Sequence, residues 1–198
     1  MRLFFDRKKK SAGFSMIEFL AWTALAGLAA AGVMAYKSKG NTTATANQMV
    51  AAMSNLQQNL TTFMAPSGYN GLTAQTVNQM GLAVAPLTVS GSGASTVIND
   101  AWGNAMTFTG NAAGATGTYV ITIGGTTTPL STEACVAIVN GLVNSADDVN
   151  VGASTAVTTT SGLVGGGTTV KSASTSYSAA SAATGCAATN PVIGFQFH

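Results

Sequence analysis

One acidic residue, Glu18, lies in a segment that is otherwise apolar and that directly follows a short basic leader. The leader ends in Lys8-Lys9-Lys10-Ser11-Ala12-Gly13, and residues 14–36 contain no other charged side chain. A charge at the centre of a membrane helix costs roughly 2.5–3.5 kcal/mol on insertion scales, so a lone acid in such a segment indicates a function.

The elements around Glu18 predict a membrane-inserted segment with a cytoplasmic leader. A Lys/Arg cluster stays in the cytoplasm by the positive-inside rule, which places the rest of the chain outside. The run Phe19–Tyr36 would be ~27 Å long as a helix, close to the ~30 Å hydrocarbon core of a bilayer. An alternative is a secreted protein cut near Ala29-Ala30-Ala31, but this reading leaves Glu18 without a role.

The spacing of the glycine, the apolar residue and the acid resembles the processing site of type IV prepilins. In that family a membrane peptidase cuts after the leader glycine and N-methylates the new first residue, and the fifth mature residue is Glu. The resemblance implies cleavage between Gly13 and Phe14, with Glu18 at the fifth mature position. It also implies that Glu18 neutralises the new amine and sets the register of assembly. An ordinary signal anchor with a stray acid is the alternative.

A second apolar pattern predicts that the helix continues beyond the membrane segment. Apolar residues recur at three- and four-residue steps before Pro66, as in an amphipathic helix. We predict a nearly continuous helix over residues 14–65, with a membrane or filament-core half at 14–36 and an amphipathic half at 41–65. The predicted apolar stripe consists of Ala46, Met49, Val50, Met53, Leu56, Leu60, Phe63 and Met64.

The remaining residues, 66–198, are predicted to form a globular head that contains both helices and strands. Alternating Thr, Val, Ile, Phe and Tyr residues indicate strands, and a Ser or Thr before an apolar face indicates a capped helix. The predicted elements are a short helix within Leu72–Met80, a loop at Ser90–Ser95, strands at Ala105–Thr109 and Thr118–Ile123 joined by a hairpin loop at Asn111–Gly117, a helix from Ser131 or Thr132 to about Asn144, and a terminal strand at Val192–His198.

The two cysteines, Cys135 and Cys186, are predicted to form a disulfide. An export signal combined with an even number of cysteines favours this pairing over two free thiols. Closing a loop of that length contributes ~4 kcal/mol in the chain-entropy model. The bond would tie down residues 150–188, whose small polar composition alone indicates disorder, with short Thr/Val segments as edge strands.

The order of the elements resembles that of type IVb pilins. Asp100-Ala101-Trp102-Gly103 before the first strand pair and Glu133-Ala134-Cys135 on the helix add to this resemblance. It implies an α+β fold in which a long N-terminal helix packs on an antiparallel β-sheet head, with a C-terminal disulfide-bounded region. The short leader and Phe14 as the first mature residue are more typical of type IVa pilins, so the subclass stays open.

The sequence shows no catalytic constellation, and no enzyme activity, cofactor or metal site is predicted. The single histidine, His198, has no predicted partner, and Asp147-Asp148 is predicted to be a solvated turn. The segment Gly165–Lys171 lacks the Gly-Lys-Ser/Thr ending of a phosphate-binding loop and is predicted to be flexible. Trp102 is predicted to be a packing residue.

Composition agrees with a structural role. Charged residues make up only 7% of the chain, against ~25% in typical soluble domains. Without the leader the chain keeps three lysines and five acids, so its side-chain balance changes from +2 to −2. Nucleic-acid binding, which requires a basic surface on the mature domain, is therefore not predicted.

The resemblance implies a structural subunit of a type IV pilus that serves adhesion, aggregation or conjugative mating. Its implied partners are further copies of itself, a prepilin peptidase, an assembly ATPase, an inner-membrane platform and a secretin. The precursor would lie in the inner membrane and the polymer on the cell surface. The alternatives are a minor pilin or type II secretion pseudopilin, and a membrane-anchored binding module. Ligand binding by the region between Cys135 and Cys186 would favour the last of these.

Overall fold

The computed structural model describes residues 16–111, 117–160 and 162–198, with the backbone alone for residues 16–39. The chain divides into two compact units, Met1–Gly40 and Asn41–His198. In the second unit, helices pack on an antiparallel sheet and a disulfide joins Cys135 to Cys186. The predicted α+β fold class is therefore confirmed.

The structure contains four α-helices and nine strands in its described residues. The helices are α1 Met16–Met64, α2 Ala74–Gln79, α3 Thr132–Leu142 and α4 Ala179–Cys186. The strands are β1 Thr88–Ser90, β2 Val97–Asn99, β3 Thr107–Gly110, β4 Tyr119–Gly124, β5 Asp148–Ala153, β6 Thr158–Thr160, β7 Leu163–Gly165, β8 Thr168–Lys171 and β9 Pro191–Phe197.

Helix α1 is the predicted long helix, and most of its predicted stripe is buried. Phe63 is the exception, because its side chain is 61% exposed. Adjacent helical residues lie about 100° apart around the axis, so Phe63 turns away from the core that its neighbour Met64 enters. Val50 is half-buried against Gly141 of α3, where a Cβ atom would lie only 2.6 Å from a Val50 methyl carbon. The buried members are Ala46, Met49, Met53, Leu56, Leu60 and Met64.

The central sheet has five strands in the order β3-β4-β9-β5-β8, and every neighbouring pair is antiparallel. The predicted strand pair corresponds to β3 and β4, with Phe108 opposite Ile121. The predicted terminal strand is β9, which lies in the middle of the sheet between β4 and β5. Strands β1–β2 and β6–β7 form two further antiparallel pairs.

The two smaller predicted helices are confirmed at nearly the expected positions. The short helix is α2, whose buried residue is Val77. The Ser131 hydroxyl caps α3 by accepting a hydrogen bond from Ala134 N at 3.2 Å, and Glu133 lies in the favourable first turn. These elements were predictable because capping is a local property of the sequence.

Three segments have more regular structure than predicted. Residues 150–188 contain most of the central strand β5, together with β6, β7, β8 and α4, rather than edge strands alone or a disordered tract. The predicted loop Ser90–Ser95 begins at the end of β1 and includes one 3-10 turn. The segment Gly165–Lys171, predicted to be flexible, is mostly β8. The sequence did not indicate these elements, because the small residues of the three segments form no apolar periodicity.

The central sheet has an inner face toward the helices and an outer face toward the β6–β7 hairpin. Side chains alternate between the two faces of a strand. On β4, Ile121 and Ile123 therefore join the main core on the inner face, while Thr122 lies on the outer face. Gly194 on β9 also faces outward, and a Cβ atom there would lie 2.5 Å from a methyl carbon of Val164 on β7.

Candidate functional site

The predicted processing and assembly residues lie at the N-terminus. Gly13 and Phe14 lie outside the described residues, and so does the side chain of Glu18. The backbone of Glu18 belongs to the first turn of α1, which begins at Met16. The cleavage, N-methylation and ion-pair roles of these residues remain predictions, as does the membrane half at 14–36.

The residues that the structure describes include no helix with both the length and the apolarity needed to cross a membrane.

The predicted disulfide is present and joins two helices. Cys135 lies near the start of α3, Cys186 is the last residue of α4, and their Cα atoms are 5.6 Å apart. Both cysteines are buried in the main core. The covalent loop contains β5 to β8, so the bond limits how far these strands can separate from the helices when the chain unfolds.

Lys171 is an internal connector rather than part of a flexible loop. It ends β8, and its Nζ donates hydrogen bonds to the carbonyl oxygens of Val143 at 2.8 Å and Ala146 at 2.5 Å. Val143 is the C-cap residue of α3 and Ala146 lies in the segment that follows, so the ammonium group is near the helix C-terminus, where a cation interacts favourably with the helix dipole. The lysine therefore ties the edge of the sheet to α3.

Asp100 and Asn104 form a buried polar network that the sequence analysis did not identify. Each residue is only 1% exposed. One Asp100 carboxylate oxygen accepts hydrogen bonds from the backbone N–H groups of Trp102 and Asn104, both at 2.9 Å. The other accepts from Gly124 N at 3.1 Å and from the Asn104 side chain at 3.2 Å. These donors compensate the carboxylate for the water it lost on burial.

Asn104 extends this network to the loop after β4. Its side-chain oxygen accepts from Thr128 N at 3.0 Å, and its side-chain nitrogen donates to Thr128 O at 2.9 Å. Together, Asp100 and Asn104 fix both ends of the segment 124–128. Trp102 is partly buried against the main core, in agreement with its predicted packing role.

An aromatic cluster fills the inner face near the end of α1. The rings of Tyr69 and Tyr119 have centroids 4.4 Å apart, and Phe197 lies 5.3 Å from Tyr119. Both phenol oxygens are buried and have no hydrogen-bond partner among the described residues. Burial raises the pKa of Tyr119 well above its usual range, and the Thr61 side chain acts in the opposite direction. The Thr61 hydroxyl itself donates to the carbonyl oxygen of Gln57.

His198 has a partner that the sequence analysis did not foresee. Its Nδ1 lies 2.6 Å from an Asp147 carboxylate oxygen, because β9 and β5 are neighbours and bring these distant positions together. Asp148 opens β5 and accepts a hydrogen bond from Ala173 N, so the prediction of a purely solvated turn is wrong. The His198 side chain is 78% exposed, and such a surface pair contributes little stability.

The described residues bring no reactive groups together beyond this pair. They contain no group of three or more His, Cys, Asp or Glu side chains that could hold a metal ion. The buried carboxylate of Asp100 is occupied by backbone and amide donors, and Lys171 is occupied by carbonyl oxygens. These charged groups have structural contacts instead of a shared site.

Among solved structures, this chain is similar to pilins. No family model matches the chain, and no curated protein matches it. The chain is similar to the type IVb pilin from Salmonella typhi, with 21% identity over 80% of this chain and 99% of that chain and a TM-score of 0.46. It is also similar to TcpA, a type IV pilin from Vibrio cholerae El Tor biotype, with 15% identity, the same coverage and a TM-score of 0.46.

Proposed function

We propose that this chain is the structural subunit of a type IV pilus, cut after Gly13 and polymerised into a surface filament. The observation that carries the proposal is the combination of Glu18, in the first turn of α1, with an α1 that runs without interruption to Met64. A cut after Gly13 would create an ammonium group at Phe14, four residues before the Glu18 carboxylate. In an apolar bundle these two charges are costly alone and compensate each other when paired.

The described unit 41–198 supports this role. Its only charged residues are Asp100, Glu133, Asp147, Asp148 and Lys171, and two of these make the internal contacts described above. A surface with so few charges produces little electrostatic repulsion between identical subunits that pack side by side. The disulfide holds the head together in an oxidising extracellular environment.

The proposal includes the partners and locations that polymerisation requires. A prepilin peptidase would remove residues 1–13 in the inner membrane, and an ATPase, a membrane platform and a secretin would assemble and export the fibre. Adhesion, aggregation or conjugative mating is the proposed output of the filament. A minor pilin or type II secretion pseudopilin is the second candidate, since Glu18 favours neither a shaft-building nor a priming subunit.

Replacement of Glu18 tests the proposed role of the ion pair in assembly. We expect Glu18→Ala to be cut normally but to give few filaments, because the new amine at Phe14 lacks its partner. Glu133→Ala, which removes an exposed acid from the head, is the matched control and should assemble normally. Filaments counted by electron microscopy provide the readout, and wild-type numbers from Glu18→Ala would refute the proposed pairing.

A further inference from the structure

A cleft of about 370 Å³, lined by polar and apolar side chains in similar measure, opens on the outer face of the central sheet. Its floor contains Thr107, Thr122 and Val192, which belong to the adjacent strands β3, β4 and β9. Its walls contain Thr126-Thr127 from the loop after β4 and Ser154 from the segment after β5. The volume falls within the range of about 300–1,000 Å³ that is typical of small-ligand sites.

Hydroxyl groups make up most of the polar side chains that line this cleft. No charged side chain lines it. Within the described part of the chain, the hydroxyls of Thr126, Thr127 and Ser154 have no hydrogen-bond partner, whereas those of Thr107 and Thr122 bond to each other at 2.6 Å. Each free hydroxyl can both donate and accept a hydrogen bond. The site therefore suits a neutral ligand with several hydroxyls and offers nothing to balance an ionic one.

The wall that presents Thr126 and Thr127 is anchored at both ends by hydrogen bonds to buried side chains. Gly124 N donates to Asp100, and Thr128 makes two hydrogen bonds with Asn104, so both ends of the segment are held by buried side chains. A preformed wall avoids the entropic cost of ordering a loop on binding.

The floor of the cleft is a sheet face that reaches the edge strand β3. Thr122 and Val192 present side chains from the face of the sheet, and their strands β4 and β9 each have hydrogen-bonded neighbours on both sides. A peptide that binds by adding a strand needs a free sheet edge; β4 and β9 offer none, whereas β3, which contributes Thr107 to the floor, is the edge strand of this sheet. Side-chain hydroxyls on a sheet face match the hydroxyls of a sugar better than the main chain of a peptide.

We propose that this cleft binds a neutral carbohydrate. The hydroxyls of Thr126, Thr127 and Ser154 would bond to sugar hydroxyls, while Val157, Val192 and the threonine methyl groups would contact the carbon–hydrogen faces of the ring. Ser154 and Val157 lie in the disulfide-bounded region, between Cys135 and Cys186. Binding by a single chain does not require a filament, so this proposal goes beyond the proposed function and can fail independently of it.

The test uses saturation-transfer NMR on the full chain, purified in lauryldimethylamine oxide, a detergent without a sugar headgroup. The probes are the methyl glycosides of glucose, galactose, N-acetylglucosamine and N-acetylgalactosamine, with the methyl glycoside of N-acetylneuraminic acid as a charged comparison. We expect transfer to at least one neutral probe and none to the charged one. The double variant Thr126→Val/Thr127→Val should bind about tenfold more weakly, because it removes two hydroxyls and keeps the side-chain shape.

Two further variants keep the result interpretable. Thr88→Val makes the same change at an exposed strand position outside the cleft and should leave the affinity unchanged. Ala105→Phe, at an exposed position that lines the cleft, should block binding by filling space. Thermal unfolding of each variant confirms that it is folded. Absence of transfer to all neutral probes, transfer to the charged probe alone, or transfer that survives both cleft variants would overturn the proposal.

Discussion

The two faces of the central sheet differ in what covers them and in how they are held. On the inner face, Ile121, Ile123 and Phe195 are fully buried in one continuous core with α1, α3 and α4. On the outer face, Thr122 and Gly194 lie beneath a short hairpin and beside an open cleft. The inner face is closed by large apolar side chains, whereas the outer face is covered by smaller side chains, including those of Val157 and Val164, and by hydrogen bonds.

Within the same strands, inward-facing residues should therefore determine stability, and outward-facing residues should determine the properties of the surface. Burial of large apolar groups is the main favourable term in folding, so the inner face should carry most of the free energy of unfolding. On the outer face, the β6–β7 hairpin is attached through contacts such as Val164 N to the Gln196 side chain at 3.1 Å. Substitutions there should alter the exposed surface with less effect on the fold.

The largest effect on stability should come from an inward-facing residue of β9, and its outward-facing neighbour provides the comparison. We expect Phe195→Ala to lower the free energy of unfolding by about 3–5 kcal/mol, because it leaves a cavity in the core. Gln196→Ala should cost only about 1 kcal/mol, since it removes one hydrogen bond near the hairpin. Urea titration of both variants measures the two losses, and equal losses would contradict the division between the faces.

Removal of the disulfide should have the next largest effect. The double variant Cys135→Ala/Cys186→Ala should lose about 2–5 kcal/mol, because the unfolded chain is no longer constrained. Chemical reduction of the wild-type chain should give a loss of similar size and serves as the control. A loss below about 1 kcal/mol in both urea titrations would mean that apolar packing alone holds α3 and α4 in place.

Asp100→Asn tests whether polar networks matter on the outer side. We expect a loss of about 2–3 kcal/mol, because an amide nitrogen cannot accept the hydrogen bonds that one carboxylate oxygen now receives. Asp148→Asn, at a half-buried position with a single backbone donor, is the matched control and should cost less than about 1 kcal/mol. Equal unfolding midpoints for the two variants in urea would contradict the anchoring role of Asp100.

The smallest effect concerns Tyr119 and depends on pH. The buried phenol resists ionisation because its pKa is raised, whereas the unfolded chain ionises near pH 10. The contribution of Tyr119 to stability should therefore be constant below about pH 10 and fall above it by up to about 1.4 kcal/mol per pH unit. The free energy of unfolding of Tyr119→Phe should be close to that of the wild type at pH 8, because the Tyr119 hydroxyl has no hydrogen-bond partner among the described residues. Between pH 8 and pH 11 it should fall less than that of the wild type. Identical pH profiles in urea titrations would contradict this.

Much of the fold was predictable because its signals are local. The apolar spacing of α1 and the Ser131 cap of α3 each lie within a few residues of sequence. The central positions of β5 and β9, in contrast, depend on pairing between segments that are distant in the chain. Phe63 fits the helical spacing by hydrophobicity alone, and only the packed structure shows that it is exposed.

The candidate sites also divide into those with local signals in the sequence and those that depend on contacts between distant residues. The cysteine pair was predictable from its count and its export context. The contacts of Asp100 with Gly124, of Lys171 with the end of α3 and of His198 with Asp147 join residues across the sheet, and no spacing rule in the sequence indicates them. The cleft likewise depends on three strands and two loops that only the fold brings together.

The proposal of a processed filament subunit is tested most directly by the intact, non-reduced mass of protein sheared from the surface of cells. We expect an abundant species that starts at N-methylated Phe14 and is two hydrogen atoms lighter than the reduced chain, as the Cys135–Cys186 bond requires. A processed chain that stays in the membrane fraction would contradict the role of shaft subunit and favour a minor pilin or pseudopilin. An uncut chain would contradict the assignment to pilins itself.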